Sequence, residues 1–256
     1  IGGGKLTRGL ATESRTCPVP PVIGHRGACG HAPENTLASI RRAAALGAGW
    51  VEFDARLTRD CEVVLLHDET LERTTDGCGL VADKDWAELS TLDAGAWFGA
   101  AFRGARIPSL HQAIAVLAEL GLGANVEIKA APGRDSETGR ITAARLRAEW
   151  PAALPVPLIS SFSPAALTAA RDAAPDIPRA LLVSAIPGDW QRQLIDLGCN
   201  ALHCDHEHLT RGRARPLLDA GFALRCYTVN RAARAATLYG WGVEALISDY
   251  PERLAR

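Results

Sequence analysis

The chain has no methionine, no CxxC pair, no run of lysine and arginine, and no apolar stretch of the about 18 residues that a membrane span needs. The last absence excludes an integral membrane segment. The missing basic run, with a net charge of −1, leaves no field that favours nucleic acid or an anionic membrane, and nucleic acid is not expected as a partner. Cysteine is present but scattered, at Cys17, Cys29, Cys61, Cys78, Cys199, Cys204 and Cys226. An odd count without CxxC argues against a disulfide framework and against a zinc ribbon, and points to reduced thiols in a cytoplasmic protein. The lack of methionine leads to the expectation that Ile1 follows a processed or truncated end. Ile1-Gly2-Gly3-Gly4 has no basic region followed by an apolar run, so no signal peptide is expected there.

What is there is an α/β pattern. Residues 1–20 are polar, Gly-bearing and Pro-terminated, and read as a flexible arm ahead of a domain over 21–256. Short apolar runs then alternate with Ala/Leu-rich helical stretches. Strands are predicted at Val22–His25, Trp50–Arg56, Asn125–Lys129, Leu158–Phe162, Ala180–Val183, Ala201–Asp205, Ala223–Val229 and Ala245–Asp249. Helices are predicted at Thr36–Leu46, Leu110–Leu120, Glu137–Glu149, Pro164–Ala173, Trp190–Leu197, Arg213–Ala220 and Arg231–Tyr239. Eight strand–helix units in a chain of this length make a closed (β/α)₈ barrel. A ninth run, Glu62–His67, follows the second strand after only four residues, too few for a parallel crossover, and so is expected to return antiparallel as a hairpin arm. Residues 69–108 show little periodicity and are expected to form an insertion over the barrel mouth.

In such a barrel, chemistry lies at the C-terminal strand ends. His25-Arg26 closes the first strand, His67-Asp68 closes the hairpin arm, and Glu52-x-Asp54 and Glu127-x-Lys129 lie on neighbouring strands. Residues two apart on a strand share a face. Facing inward, Glu52, Asp54 and Glu127 would repel one another unless a hard divalent cation took their oxygens. For Glu52 and Asp54 alone, pairing with Arg56 or a nearby Lys is the plainer reading; the second strand and the two histidines reverse the balance. Histidine titrates near neutral pH, and Arg26 and Lys129 suit phosphate oxygens. The cluster His203-Cys204-Asp205-His206-Glu207-His208 is a weaker candidate for a second metal site.

These residues, with Pro33-Glu34-Asn35-Thr36, Leu71-x-Arg73-Thr74-Thr75-x-Gly77-x-Gly79, Ile107-Pro108-Ser109-Leu110, Ser161-Phe162, Tyr227-Thr228-Val229-Asn230 and Ser248-Asp249-Tyr250-Pro251, resemble the glycerophosphodiester phosphodiesterase family over about residues 21–254. The resemblance implies a TIM barrel with a small insertion after the second strand. It further implies one Ca²⁺ or Mg²⁺ on Glu52, Asp54 and Glu127, and His25 and His67 as general base and general acid. Arg26 and Lys129 would grip the phosphate, Glu34 and Asn35 would shape the loop beside it, and Phe162 and Tyr227 would contact substrate. The substrate would be a glycerophosphodiester, cleaved to sn-glycerol 3-phosphate and an alcohol, by a monomer or homodimer. The family often has Trp where Tyr227 stands and Gly where Cys61 stands. Two rivals stay open at this point. One is a lysophospholipase D or phosphoinositide-cleaving enzyme, with Trp97, Phe98 and Phe102 as an apolar rim. The other is an inactive binding module.

Overall fold

The structure, a computed structural model, describes residues 19–254. The expected arm therefore lies outside the described residues except for Val19 and Pro20, and Val19 packs against the barrel floor. In chain order the elements are β1 (Val22–Gly24), α1 (Leu37–Ala45), β2 (Trp50–Leu57), β3 (Val63–Leu65), α2 (Trp86–Leu89), α3 (Leu110–Leu120), β4 (Gly123–Ile128), α4 (Asp135–Glu149), β5 (Leu158–Ser161), α5 (Pro164–Ala173), β6 (Arg179–Val183), α6 (Trp190–Leu197), β7 (Ala201–Asp205), α7 (Arg211–Asp219), β8 (Ala223–Tyr227), α8 (Ala232–Gly240) and β9 (Ala245–Ser248). Eight parallel strands run in the order β1-β9-β8-β7-β6-β5-β4-β2, and β1 pairs with β2 to close the ring. The fold is a (β/α)₈ TIM barrel. β3 stands outside the ring, antiparallel on β2, with Ala55 opposite Leu65. No helix among the described residues is long and apolar enough to cross a membrane.

Side-chain alternation on β2 separates core from site. Val51, Phe53, Ala55 and Leu57 face outward into the main core beneath the helices. Trp50, Glu52, Asp54 and Arg56 take the other face and climb it from floor to mouth. Trp50 joins Ile23, Leu158, Ala180, Ala201, Ala245 and Ile247 in an apolar plug. Its register partner Gly123 makes the room, since a Cβ there would sit 2.2 Å from the indole. Above the plug, Glu52 lies opposite Asn125 and Asp54 opposite Glu127. The polar layer thus begins one strand step above a sealed floor.

Helix starts follow their caps. Ser109 and Gln112 exchange capping bonds at α3, and Ser163 caps α5 ahead of Pro164. α7 begins at Arg211, two residues before the predicted start, because the Thr210 hydroxyl accepts from the Arg213 amide. α4 likewise begins early, at Asp135, which adds an acidic group to its first turn. Residues 69–108 hold α2 and two short 3₁₀ turns, Val81–Asp83 and Ala100–Phe102. Together with one face of the hairpin arm they have a small core of Val64, Leu66, Leu71, Val81, Leu89, Ala94 and Ile107, while Val63 and Leu65 on the arm's other face join the barrel's core.

Candidate active site

The loop after β1 turns sharply at the barrel mouth. Arg26 has φ 47° and Gly27 φ 88°, and a Cβ on Gly24 would lie 2.1 Å from the Gly27 carbonyl. The turn presents His25, whose amide donates to Ser248 O at 2.8 Å. Nδ1 of His25 lies 2.6 Å from Asp249 Oδ1, and Asn230 Nδ2 donates to the other Asp249 oxygen at 2.7 Å. With Nδ1–H committed to a carboxylate, Nε2 carries the free lone pair; it sits 3.9 Å from Glu52 Oε2. The Arg26 amide donates to Glu52 Oε2 at 3.0 Å, and its guanidinium lies 2.6 Å from Glu34 and 3.3 Å from Asp54.

Glu52, Asp54 and Glu127 converge, with one oxygen from each within 4.8 Å of the others. Burial, and then the charges of Asp54 and Glu127, push Glu52 well above the usual carboxylate range. Burial and Asp54 raise Glu127 to about 7 against the pull of Lys129, whose Nζ is 2.6 Å away. Burial works upward on Asp54 too, but Arg26 and Lys129 outweigh it and hold that group below its ordinary value. Glu52 Oε1 is buried without a hydrogen-bond partner. Oxygen donors that repel one another, one of them orphaned, fit a hard divalent cation.

His67 follows β3. Its Nδ1 is 2.7 Å from Asp68 Oδ1, and its carbonyl accepts from Arg56 Nε and Nη2 at 2.9 and 2.6 Å. Arg56 therefore anchors the hairpin arm rather than neutralising Glu52 or Asp54. Burial pulls the His67 imidazole below its ordinary range, against the opposing charge of Asp54. Arg73 ties the site together: Nε donates to Asp68 at 2.5 Å, and both Nη atoms donate to Glu34 at 2.8 Å.

A cavity of about 360 Å³ opens between these groups, the scale of a small-molecule site. Its wall includes His25, Arg26, Glu52, His67, Glu127, Lys129, Phe162 and Tyr227. Phe162 is 46% exposed at the rim and meets Tyr227 edge-on at 6.1 Å. The Tyr227 hydroxyl donates to Val183 O at 2.9 Å, so its ring is what the cavity sees. Glu34 and Asn35 are not brought to the cavity wall. Glu34 is clamped between Arg26 and Arg73, and Asn35 is buried with both amide atoms on Asp54, at 2.8 and 3.0 Å.

Asp249, Arg73 and Asn125 received no role from the sequence. Asn125 lines the cavity and its Oδ1 is buried without a partner. The position of Asp249 at a strand end was a visible signal; its bond to a residue 224 positions away was not. The cluster around His203 does not assemble a metal site. His203 is fully buried and accepts from Arg225, His206 accepts from Arg234, and His208 pairs with Asp205. Trp97, Phe98 and Phe102 stack on one another inside the insertion, and none lines the cavity.

A family model described as the glycerophosphoryl diester phosphodiesterase family matches residues 25–253. A glycerophosphodiester phosphodiesterase of Caldanaerobacter subterraneus is 33% identical over 237 residues, covering 91% of this chain and 95% of that protein. Among solved structures, a phosphodiesterase of Oleispira antarctica in complex with the product sn-glycerol-3-phosphate superposes with a TM-score of 0.90 at 41% identity, over 92% of this chain and 95% of its own. A glycerophosphodiester phosphodiesterase of Agrobacterium tumefaciens superposes with a TM-score of 0.78 at 27% identity, over 92% and 98%.

Proposed function

The chain belongs to the glycerophosphoryl diester phosphodiesterase family and is a glycerophosphodiester phosphodiesterase, and on that premise we propose that it works with one divalent cation on Glu52, Asp54 and Glu127 and with His25 and His67 as its acid–base pair. The observation that carries this reading is that two histidines, each with Nδ1 on a carboxylate, line one cavity with Glu52 and Glu127 of the acidic trio. Ca²⁺ or Mg²⁺ bound there would neutralise charge on the phosphoryl oxygens. Arg26 and Lys129 supply positive charge on the same wall for the phosphodiester. His25 Nε2 takes a proton from the attacking hydroxyl, which is water or the glycerol 2-hydroxyl acting through a cyclic phosphate. A new P–O bond forms, the P–O bond to the leaving alcohol breaks, and His67 returns a proton to the departing alkoxide. With water as nucleophile this gives sn-glycerol 3-phosphate and a free alcohol directly; with the glycerol 2-hydroxyl it gives the alcohol and a cyclic phosphate, which water then opens by attack at phosphorus and cleavage of the bond to the 2-oxygen, leaving sn-glycerol 3-phosphate. Phe162 and the Tyr227 ring contact the substrate at the rim, while Glu34 and Asn35 act one layer back by fixing Arg26 and Asp54. Six free thiols among the described residues support a reducing, cytoplasmic setting.

A lipid phosphodiesterase is not favoured, since the aromatic residues of the insertion pack on one another rather than on the mouth. The test is a screen of glycerophosphocholine, glycerophosphoethanolamine and lysophospholipids with Ca²⁺, Mg²⁺ or Mn²⁺, reading release of sn-glycerol 3-phosphate. Chelation should lower turnover at least about a hundredfold, the scale of a Lewis-acid contribution of several kcal/mol. No turnover with any of these ions would point instead to a binding module.

Arg73 gives a second prediction. Arg73→Gln strips Asp68 and Glu34 of their shared partner, loosening His67 and Arg26 together without touching the cavity wall. We expect kcat to fall about 10- to 100-fold, as for a lost orienting contact, with Arg73→Lys intermediate because it keeps the charge but not the fork. Steady-state kinetics of the two variants checks this. Unchanged kcat in the Gln variant would remove Arg73 from the positioning network.

A further inference from the structure

Cys29 lies outside the reaction described above, yet it sits against one of its central groups. Its Sγ is 2.9 Å from Asp249 Oδ1 and 3.8 Å from His25 Nδ1, and those last two atoms are 2.6 Å apart. We propose that His25, Cys29 and Asp249 form a second metal site, selective for a borderline or soft divalent cation such as Zn²⁺ or Cd²⁺ and distinct from the oxygen-only trio beside it.

The donor chemistry separates the two sites. Glu52, Asp54 and Glu127 offer oxygen alone, which suits Ca²⁺ and Mg²⁺. The second set offers one nitrogen, one sulfur and one oxygen, with one atom from each within 4.8 Å of the others. Mixed thiolate and imidazole donors select Zn²⁺ and its heavier relatives. Around a tetrahedral zinc, neighbouring donors stand roughly 3.3–3.6 Å apart, given the usual bond lengths. The sulfur–nitrogen distance of 3.8 Å needs to close by about 0.2 Å, and the two contacts to Asp249 need to open by about half an ångström or more as hydrogen bonds give way to metal bonds. All three residues are partly exposed, so a cation can reach them and a solvent molecule can fill the fourth position.

Binding has a defined proton balance. The S–H bond breaks, its proton leaves to solvent, and the cation takes the thiolate, one Asp249 oxygen and the Nδ1 lone pair. The imidazole proton that faced Asp249 moves to Nε2. The lone pair that Nε2 directed at the cavity is then gone, so the cation inhibits by inverting a tautomer rather than by filling the substrate's place. This consequence, unlike the site itself, rests on the reading of His25 as the base.

The test uses the full chain with Cys17, Cys61 and Cys78 replaced by Ser, in saturating Mg²⁺, titrated with Cd²⁺ while the ultraviolet thiolate-to-metal absorption is followed. One equivalent should give a saturating band. Adding Cys29→Ser should remove it and weaken Cd²⁺ binding at least about tenfold; Asp249→Asn should weaken binding while keeping the band. A band of equal amplitude in the Cys29→Ser chain, or none in its parent, overturns the proposal. Cd²⁺ should also inhibit the parent at concentrations at least tenfold below those needed for Cys29→Ser. A Cys29-dependent band with turnover untouched sustains the metal site and counts against His25 as the base.

Discussion

His67→Ala should lower kcat on glycerophosphocholine by about 10²- to 10⁴-fold, and should lose far less on a substrate that releases a nitrophenolate. A good leaving group departs without a proton, so it bypasses the general acid and nothing else. His25→Ala should lose a comparable factor on both substrates, because the attacking hydroxyl needs deprotonation whatever leaves. We propose the roles this way round. His25 Nε2 points at the acidic trio, 3.9 Å from Glu52, on the side where the nucleophile would be held. His67, two residues past β3 of the hairpin arm, lines the same cavity. Burial disfavours its protonated form, and the Asp68 carboxylate at Nδ1 opposes that tendency. Parallel kinetics of both variants on both substrates decides the matter. Rescue of His25→Ala instead of His67→Ala would exchange the two roles.

Glu52→Gln should abolish metal-stimulated turnover, by about a hundredfold or more, while making the metal-free protein more stable. Glu52 is buried with two carboxylates beside it. A carboxyl whose folded pKa lies above its unfolded value contributes stability that is full below the unfolded value and is lost as pH rises through the folded one. For Glu127 that window runs from the ordinary 4.5 to about 7; for Glu52 it starts at the same ordinary value and the group is raised well above it. At neutral pH the metal-free fold therefore bears the cost of holding these carboxyls as disfavoured charges or of taking up protons to neutralise them, and a neutral amide of the same shape removes that cost at one position. We expect the melting temperature without metal to rise by about 2–4 °C, the effect of about 1 kcal/mol in a domain of this size. Saturating Mg²⁺ should add further degrees to the wild type and little to the variant. Thermal melts with and without metal, at neutral pH, measure both. A lower melting temperature for metal-free Glu52→Gln would mean that the trio is not under electrostatic strain.

The barrel was legible because its signals are local. Each strand is a short apolar run, each helix carries its period, and Gly121 and Gly198 end α3 and α6 in the left-handed conformation that glycine favours. The Glu52 and Asp54 spacing reported a shared face, and the register placing Asp54 opposite Glu127 completes the cluster. What escaped was non-local or depended on which atom of a side chain is already engaged. Asp249 reaches His25 only once the ring closes β9 onto β1. Glu34 and Asn35 sit in a motif with His25 and Arg26, but Asn35 turns its amide onto Asp54 instead of into the cavity. Proximity in sequence marked their neighbourhood without telling which layer of the site each would occupy.

The hairpin arm joins two cores, with Val63 and Leu65 in the barrel's. Val64 and Leu66 pack with Leu71, Val81 and Leu89 in the small cluster of the insertion, and His67 comes immediately after them. The insertion and the barrel are two packing units, and His67 comes off a strand that both share, whereas His25 comes off the barrel alone. Each unit can open locally with its own free energy, and the smaller buries far less apolar surface. The fraction of molecules competent for turnover is then set by the weaker unit, and an event that loosens the small core silences the enzyme while the barrel stays folded. Arg56, which donates to the His67 carbonyl, and Arg73, which donates to Glu34 in the loop after β1, are the rivets between the two units.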